Sequence, residues 1–139
     1  MERSTRQRTA IHAAIAAAQR PLSPQEVLEA ARADVPALGV ATVYRSLRAL
    51  VEEGAIEAVT LPGDTPRYEM TGQGHHHHFQ CNVCHRVFDI HACPGGLGHL
   101  APQGFSVESH DITLYGRCDD CQPKASKRNP ASRKSSGTA

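Results

Sequence analysis

The sequence has no long apolar run, so no membrane-spanning helix is expected. It has no strong charge of either sign: the formal net charge is +1, and charge alone does not point to nucleic acid. It has no HExxH segment and no His-x-Glu ahead of a Pro-Cys-x-x-Cys, which removes two common zinc-enzyme signatures and argues against an enzyme. No internal repeat is visible. No acid occurs in residues 123–139, which carry Lys124, Lys127, Arg128, Arg133 and Lys134; without them the chain is slightly acidic. This basic, polar, proline-containing stretch is expected to be a disordered tail. The opening segment is charged and then alanine-rich, as a secretion signal would be. His12 interrupts it, however, and Gln19-Arg20 stand where a cleavage site should lie, so a cytoplasmic protein is expected.

What is present is unevenly distributed. A chain of 139 residues suits one large domain or two small ones, and two small ones have little core each, so metal or dimerisation becomes a natural staple. Residues 5–19 read as a helix, with Thr5 as cap and Ile11 and Ile15 at helical spacing. Pro21 ends it. Ser23, Pro24 and Glu26 form a capping box for a second helix whose apolar face is Val27, Leu28 and Ala31. Residues 41–53 read as a third helix, with Thr42 as candidate cap, Val43, Leu47, Leu50 and Val51 as its buried stripe, and Gly54 as its stop. Segments 55–61 and 67–71 alternate like strands around Pro-Gly-Asp-Thr-Pro, a hairpin with a long turn. Three helices and a hairpin make a winged helix-turn-helix over residues 1–71, in which the third helix lies in the major groove of DNA.

Thr71-Gly72-Gln73-Gly74 reads as a hinge. After it, histidine, cysteine and short strands (75–81, 86–90 and 110–117) replace alanine-rich helices, and the glycines and prolines of 94–104 permit at most a short, poor helix. The expected class is therefore α+β: a winged helix followed by a small α/β dimerisation domain over 72–122.

Cys81-x-x-Cys84 and Cys118-x-x-Cys121 are two knuckles. Each aims two sulfurs at one point, and together they complete a tetrahedral thiolate site for structural Zn2+ that leaves no position open for a substrate. A redox pair or disulfides are the alternatives, and disulfides are rare in a reducing compartment. The run His75-His76-His77-His78 leads straight into Phe79-Gln80-Cys81 and so reads as a strand. Alternation then puts His76 and His78 on one face and His75 and His77 on the other, so that one run can feed two metal sites. The alternative is a solvated polar strand. Candidate partners are Glu69, Asp89 and His110, with His91, Cys93 and His99 nearby in sequence. A site built from Glu69, His76, His78 and Asp89 would take ligands from both domains and fix the angle between them.

Taken together these segments resemble the ferric uptake regulator family over about residues 3–121. Gly39-Val-Ala-Thr-Val-Tyr-Arg-Ser-Leu47 is similar to the family's recognition-helix signature, and Ser4-Thr5-Arg6-Gln7-Arg8 to the start of its first DNA-proximal helix. The histidine run, the two CxxC pairs and the stretch from His110 to Cys118 are similar to its dimerisation domain. The resemblance implies a metal-dependent repressor of metal-homeostasis genes, acting as a homodimer on double-stranded, pseudo-palindromic operator DNA. It implies DNA contacts from Arg8, Thr42, Tyr44 and Arg45. Tyr44 would meet a thymine methyl and Arg45 a phosphate or base; the alternative for Tyr44 is a core aromatic. It implies a regulatory site of Glu69, His76, His78 and Asp89, and a second site of His75, His77 and His110, with Cys93 or His91 in place of the family's missing acidic ligand.

Three departures bear on the sensed metal. Arg20-Pro21 stands where the family often has a sensing histidine, which weakens an iron- or peroxide-sensing reading. Glu57 matches an acidic position of zinc-uptake regulators, but their extra cysteine is Thr71 here. The dimerisation helix is shortened and rich in glycine. Histidine-rich ligands with a thiolate suit zinc better than oxygen-preferring metals, so Zn2+ is the expected regulatory ion. Iron or manganese, peroxide sensing, and a DNA-binding protein whose zinc is purely structural are the alternatives.

Overall fold

The computed structural model describes residues 2–123; the basic stretch beyond lies outside the described residues. The order is three helices, α1 (Glu2–Ala18), α2 (Pro24–Ala31) and α3 (Val40–Glu52), then a hairpin of β1 (Ile56–Val59) and β2 (Arg67–Met70). A second sheet follows, made of β3 (His77–Cys81), β4 (Val87–Ile90) and β5 (Thr113–Gly116) in the order β4-β3-β5.

The alanine-rich α1 buries only Ala10, Ile11 and Ile15, which meet Val27, Leu28 and Ala31 of α2 and Val43, Leu47 and Leu50 of α3 in one core, closed by Leu22, Leu38 and Ile56. The capping box of α2 is formed: Glu26 N–H donates to Ser23 Oγ at 3.2 Å and Ser23 N–H donates to the Glu26 carboxylate at 2.9 Å. Leu22 exchanges backbone hydrogen bonds with Tyr68 at 2.9 and 2.8 Å, so the link between α1 and α2 lies along the open edge of β2 as a one-residue bridge, next to Glu69.

Three local readings need correction. Helix α1 starts at Glu2, so Thr5 lies inside it rather than capping it. Helix α3 starts at Val40 with Gly39 as its cap, and Thr42 instead accepts a hydrogen bond from Arg45 at 3.0 Å. Val51 is exposed, and Ser46 takes its place in the buried stripe. The strands are shorter at their ends than alternation suggested. His75, His76 and His110 therefore precede strands rather than lie in them, and the 94–104 segment holds only a 3-10 turn, Leu97–Leu100.

In the second sheet β3 is central, antiparallel to β4 and parallel to β5. The register pairs His78 with Asp89. Gly72 and Gly74 both take positive φ (87° and 71°), the left-handed region open to glycine at little cost. The chain can thus turn sharply between wing and sheet.

Candidate functional site

The histidine run divides as strand alternation requires, even though only its second half is regular strand. On one face His76 and His78 meet Glu69 of the wing and Asp89 of β4; on the other His75 and His77 meet Cys93 and His110. The four cysteines form a third group, and none is in a disulfide.

The inter-domain group is sequestered, with side-chain exposures of 2% for Glu69, 5% for Asp89, 6% for His76 and 15% for His78. His76 Nε2 lies 3.0 Å from Glu69 Oε2 and 3.1 Å from Asp89 Oδ1; His78 Nε2 lies 3.3 Å from each. His76 Nδ1–H donates to the Gly74 carbonyl at 2.9 Å. In the neutral ring Nε2 therefore carries the lone pair, aimed at two carboxylate oxygens. Asp89 Oδ1 is buried with no hydrogen-bond partner although two ring nitrogens stand beside it. Lone pairs crowded together in this way need a cation between them, either protons or a metal ion.

Electrostatics point the same way. Burial opposes ionisation of Glu69, but hydrogen bonds with His78, Asp89 and His76 outweigh it and hold the carboxyl down at about 2. Burial also opposes charge on His78, yet bonding to Asp89 and Glu69 pushes it up to about 9. Burial raises Asp89, with Glu69 adding to the rise and His78 opposing it.

Bonds of about 2.3 Å to sulfur and about 2.0–2.1 Å to nitrogen or oxygen would set tetrahedral donors about 3.8 Å apart in a thiolate site, about 3.3–3.4 Å apart in a nitrogen–oxygen site and about 3.5 Å apart where the two mix. The inter-domain distances approach the second value. In the other histidine group His75 Nε2 lies 3.2 Å from His110 Nε2, and Cys93 Sγ lies 3.5, 3.2 and 3.4 Å from His75, His110 and His77. Cys84 and Cys118 sulfurs are 3.8 Å apart, the edge of a zinc–thiolate tetrahedron. All three donor sets therefore fit an ion of zinc's size.

The cysteine quartet is prepared for charge. Burial works against the Cys81 thiolate, but backbone N–H groups of Cys118, Cys84 and Val83 outweigh it and bring the thiol down to about 5. Burial and the neighbouring sulfurs push Cys121 up to about 12, since four thiolates cannot share one point without a cation. Arg86 Nε donates to Cys84 Sγ at 3.0 Å and its Nη2 to Asp120 at 3.1 Å.

The exposed face of α3 carries Tyr44, Arg45 and Arg48; at 55% exposure Tyr44 is no core aromatic. Arg8 ion-pairs with Glu53 at 2.7 Å, both about half exposed. Such a surface pair is worth little, on the order of 1 kcal/mol or less, and a phosphate would compete for it.

This chain matches the family model described as "Ferric uptake regulator family" over residues 2–115. It belongs to that family. It is 31% identical to the zinc uptake regulation protein of Mycobacterium tuberculosis over 86% of this chain and 95% of that one. It is 30% identical to the peroxide-responsive repressor PerR of Staphylococcus saprophyticus over 88% of this chain and 84% of that one. The iron-containing structure of the ferric uptake regulator from Francisella tularensis superposes with a TM-score of 0.63 at 26% identity, covering 84% of this chain and 92% of that one. Ferric uptake regulator proteins are DNA-binding, metal-binding transcription regulators of repressor type, not enzymes, and this member has their α+β fold.

The named residues fall into place unevenly. His110 belongs to the Cys93 group and not to the inter-domain one. His91 is exposed, its ring 5.5 Å from that of His76, and stands in neither group. His99 donates to the Gly96 carbonyl at 2.8 Å away from both. Glu57 lies opposite Glu69 in the hairpin register but is exposed and stands in none of the three groups, and Thr71 spends its hydroxyl on the Gly54 carbonyl at 2.9 Å. Three supporting residues went unread. Gln73 donates to Glu69 at 3.1 Å. Arg86 serves the quartet. Arg20 reaches Glu26 of α2 at 2.7 Å and the Val87 carbonyl of β4 at 3.4 Å, with its guanidinium over the Phe88 ring. Only their proximity to the motifs hinted at them.

Proposed function

We propose that this chain is a zinc-responsive repressor of metal-homeostasis genes, working in the cytoplasm as a homodimer on a pseudo-palindromic operator. Residues 1–71 read DNA, through Tyr44 and Arg45 on the recognition helix, with Thr42 orienting Arg45 and Arg8 reaching the backbone. Residues 72–122 pair the two copies and hold metal. Cys81, Cys84, Cys118 and Cys121 hold structural Zn2+. Glu69, His76, His78 and Asp89 hold the regulatory ion, and the His75, His77, Cys93 and His110 cluster takes a second.

One observation carries this reading: Glu69 comes from the wing, His78 and Asp89 come from the sheet and His76 from the residue just before β3, and their donor atoms converge. A divalent ion there supplies the positive charge that this donor set needs. Glu69 then stays ionised and Gly74 keeps His76 turned inward, so the wing and the sheet hold one angle and the two recognition helices of the dimer one separation. Zinc is supported by the donor spacings, by the thiol in the second cluster and by the similarity to a zinc uptake regulator.

The test is operator binding by the full chain with its quartet zinc retained. A chelator strong enough to strip the other sites should release the operator and added zinc should restore it. Equal binding in both conditions would reject the reading. Tyr44→Ala should lose about 10-fold or more in affinity whatever the metal level, since one base contact is worth about 1–3 kcal/mol.

A second reading, iron-dependent peroxide sensing, is favoured by the two carboxylates of the inter-domain site and by the similarity to PerR. Pro21 in place of a histidine opposes it. Mass spectrometry of the iron-loaded protein after peroxide decides: a site histidine gaining an oxygen supports sensing of peroxide.

Metal uptake should also be coupled to protons. His78, pushed up to about 9, is protonated at neutral pH in the metal-free protein. Binding therefore displaces at least one proton at pH 7, and apparent affinity rises about tenfold per pH unit per proton displaced, flattening above about 9. Calorimetry in buffers of different ionisation enthalpy counts the protons; a count of zero would contradict the assignment of His78.

A further inference from the structure

The two histidine clusters differ in a way that the donor distances hide. In the inter-domain group, His76 Nδ1–H donates to a carbonyl, which leaves Nε2 free to bind. In the other, the Ile112 backbone N–H donates to His77 Nδ1 at 3.1 Å. A peptide N–H can only donate, so Nδ1 holds the ring's lone pair and the hydrogen sits on Nε2. That Nε2–H points at Cys93 Sγ, 3.4 Å away. Nε2 can give an electron pair to a metal ion only if that hydrogen leaves, and Nδ1, already accepting from Ile112, is not free to take it.

We propose that His77 is a positioning residue and not a ligand: its Nε2–H holds the Cys93 thiolate, while His75, Cys93 and His110 bind the ion and leave one coordination position to water or a small exogenous donor. This rests on the second cluster being a metal site at all, as put forward above. His77 is 2% exposed, and turning its ring or moving its proton to Nδ1 would take from the half-buried Ile112 N–H its partner, at a cost of up to about 1–3 kcal/mol. His75 and Cys93 are exposed and His110 partly so, so solvent reaches the three proposed ligands. A hydrogen bond to a ligating thiolate draws electron density from the sulfur and fixes its direction, as outer partners of metal ligands commonly do. The contrast with the cysteine quartet follows. Four protein thiolates close that site and make it a staple, whereas three ligands and an exchangeable fourth make a site that loads and unloads with the free-metal level. The ligand class is a borderline-soft divalent cation carrying one small donor.

The probe is 113Cd2+, added to full-length protein labelled with 15N in histidine. The cadmium signal of this cluster should couple to the Nε2 atoms of His75 and His110 and to the β-protons of Cys93, with no coupling to His77. Azide or imidazole should move that signal and leave the quartet's signal in place. His77→Gln, which keeps an N–H donor, should hold cadmium within about tenfold of the wild-type affinity, and His77→Ala should lose about 10- to 100-fold. Cadmium coupling to the His77 ring, or abolished binding in His77→Gln, overturns the assignment while leaving the site. The absence of any cadmium signal coupled to Cys93 overturns the site and the assignment together.

Discussion

Replacing Cys118 by serine is expected to unfold the second sheet while the helical core persists. Among the described residues after 71, the buried apolar side chains are Cys81, Val87 and Cys118. Burying one aliphatic side chain contributes about 1.5–3 kcal/mol, and ordering each backbone residue costs about 1–2 kcal/mol. Apolar burial within one copy therefore cannot hold β3, β4 and β5 together. Zinc held by the quartet, as proposed, would contribute on the order of 10 kcal/mol and would tie the Cys81 end of β3, the turn after it and the chain leaving β5. Cys118 also anchors the site from within, its N–H donating to Cys81 Sγ at 3.4 Å. In Cys118→Ser, native mass spectrometry should find the quartet zinc missing. Amides of β3–β5 should exchange within seconds, and metal-dependent operator binding should vanish. Core amides of α1–α3 should stay protected, since their twelve-residue apolar cluster lies wholly before residue 57. A Cys118→Ser protein that keeps its zinc and melts like the wild type would show that the quartet is no staple.

Replacing Glu69 by glutamine is expected to do something different: leave the fold and the quartet zinc intact and remove the metal response. The change keeps the shape of a 2%-exposed side chain and removes the charge on which His76 and His78 converge. The only wing-side donor of the cluster is then lost, so the remaining donors hold an ion without tying it to the wing. Affinity for the regulatory ion should fall by about 100-fold or more, beyond the 10–100-fold typical of losing an outer partner. Allosteric coupling of ordinary size, about 5- to 150-fold between metal and operator affinity, should shrink to under about threefold. Calorimetry and operator titration on one preparation separate the two effects. A wild-type metal response in Glu69→Gln would remove the wing from the mechanism.

Much of this was legible because it is written in periodicities. The i, i+4 stripe of α3, the capping box at Ser23 and the two CxxC knuckles each encode geometry locally. Alternation put His76 and His78 in one cluster and His75 and His77 in another without knowledge of where the partners lay. What escaped was of two kinds. Element ends were misplaced where a polar residue looks like a cap but the helix runs on, as at Thr5 and Thr42. Long-range ties were invisible because an arginine's reach is not periodic. Arg20 was read as an obstacle to a cleavage site and as the absence of a histidine, yet it bridges α2 and β4. The role of His77 likewise depends on which backbone group faces its Nδ1, and that is set by the parallel pairing of β3 with β5.

The central claim is that ligands from the wing and from the sheet share one ion and so fix the angle between the two parts. Small-angle X-ray scattering of the full chain tests this most directly, with quartet zinc present and regulatory zinc added stepwise. The radius of gyration should fall and level off as the inter-domain site fills, and the same titration on Glu69→Gln should be flat. Scattering that does not change while operator affinity rises, or that changes equally in Glu69→Gln, would contradict the claim.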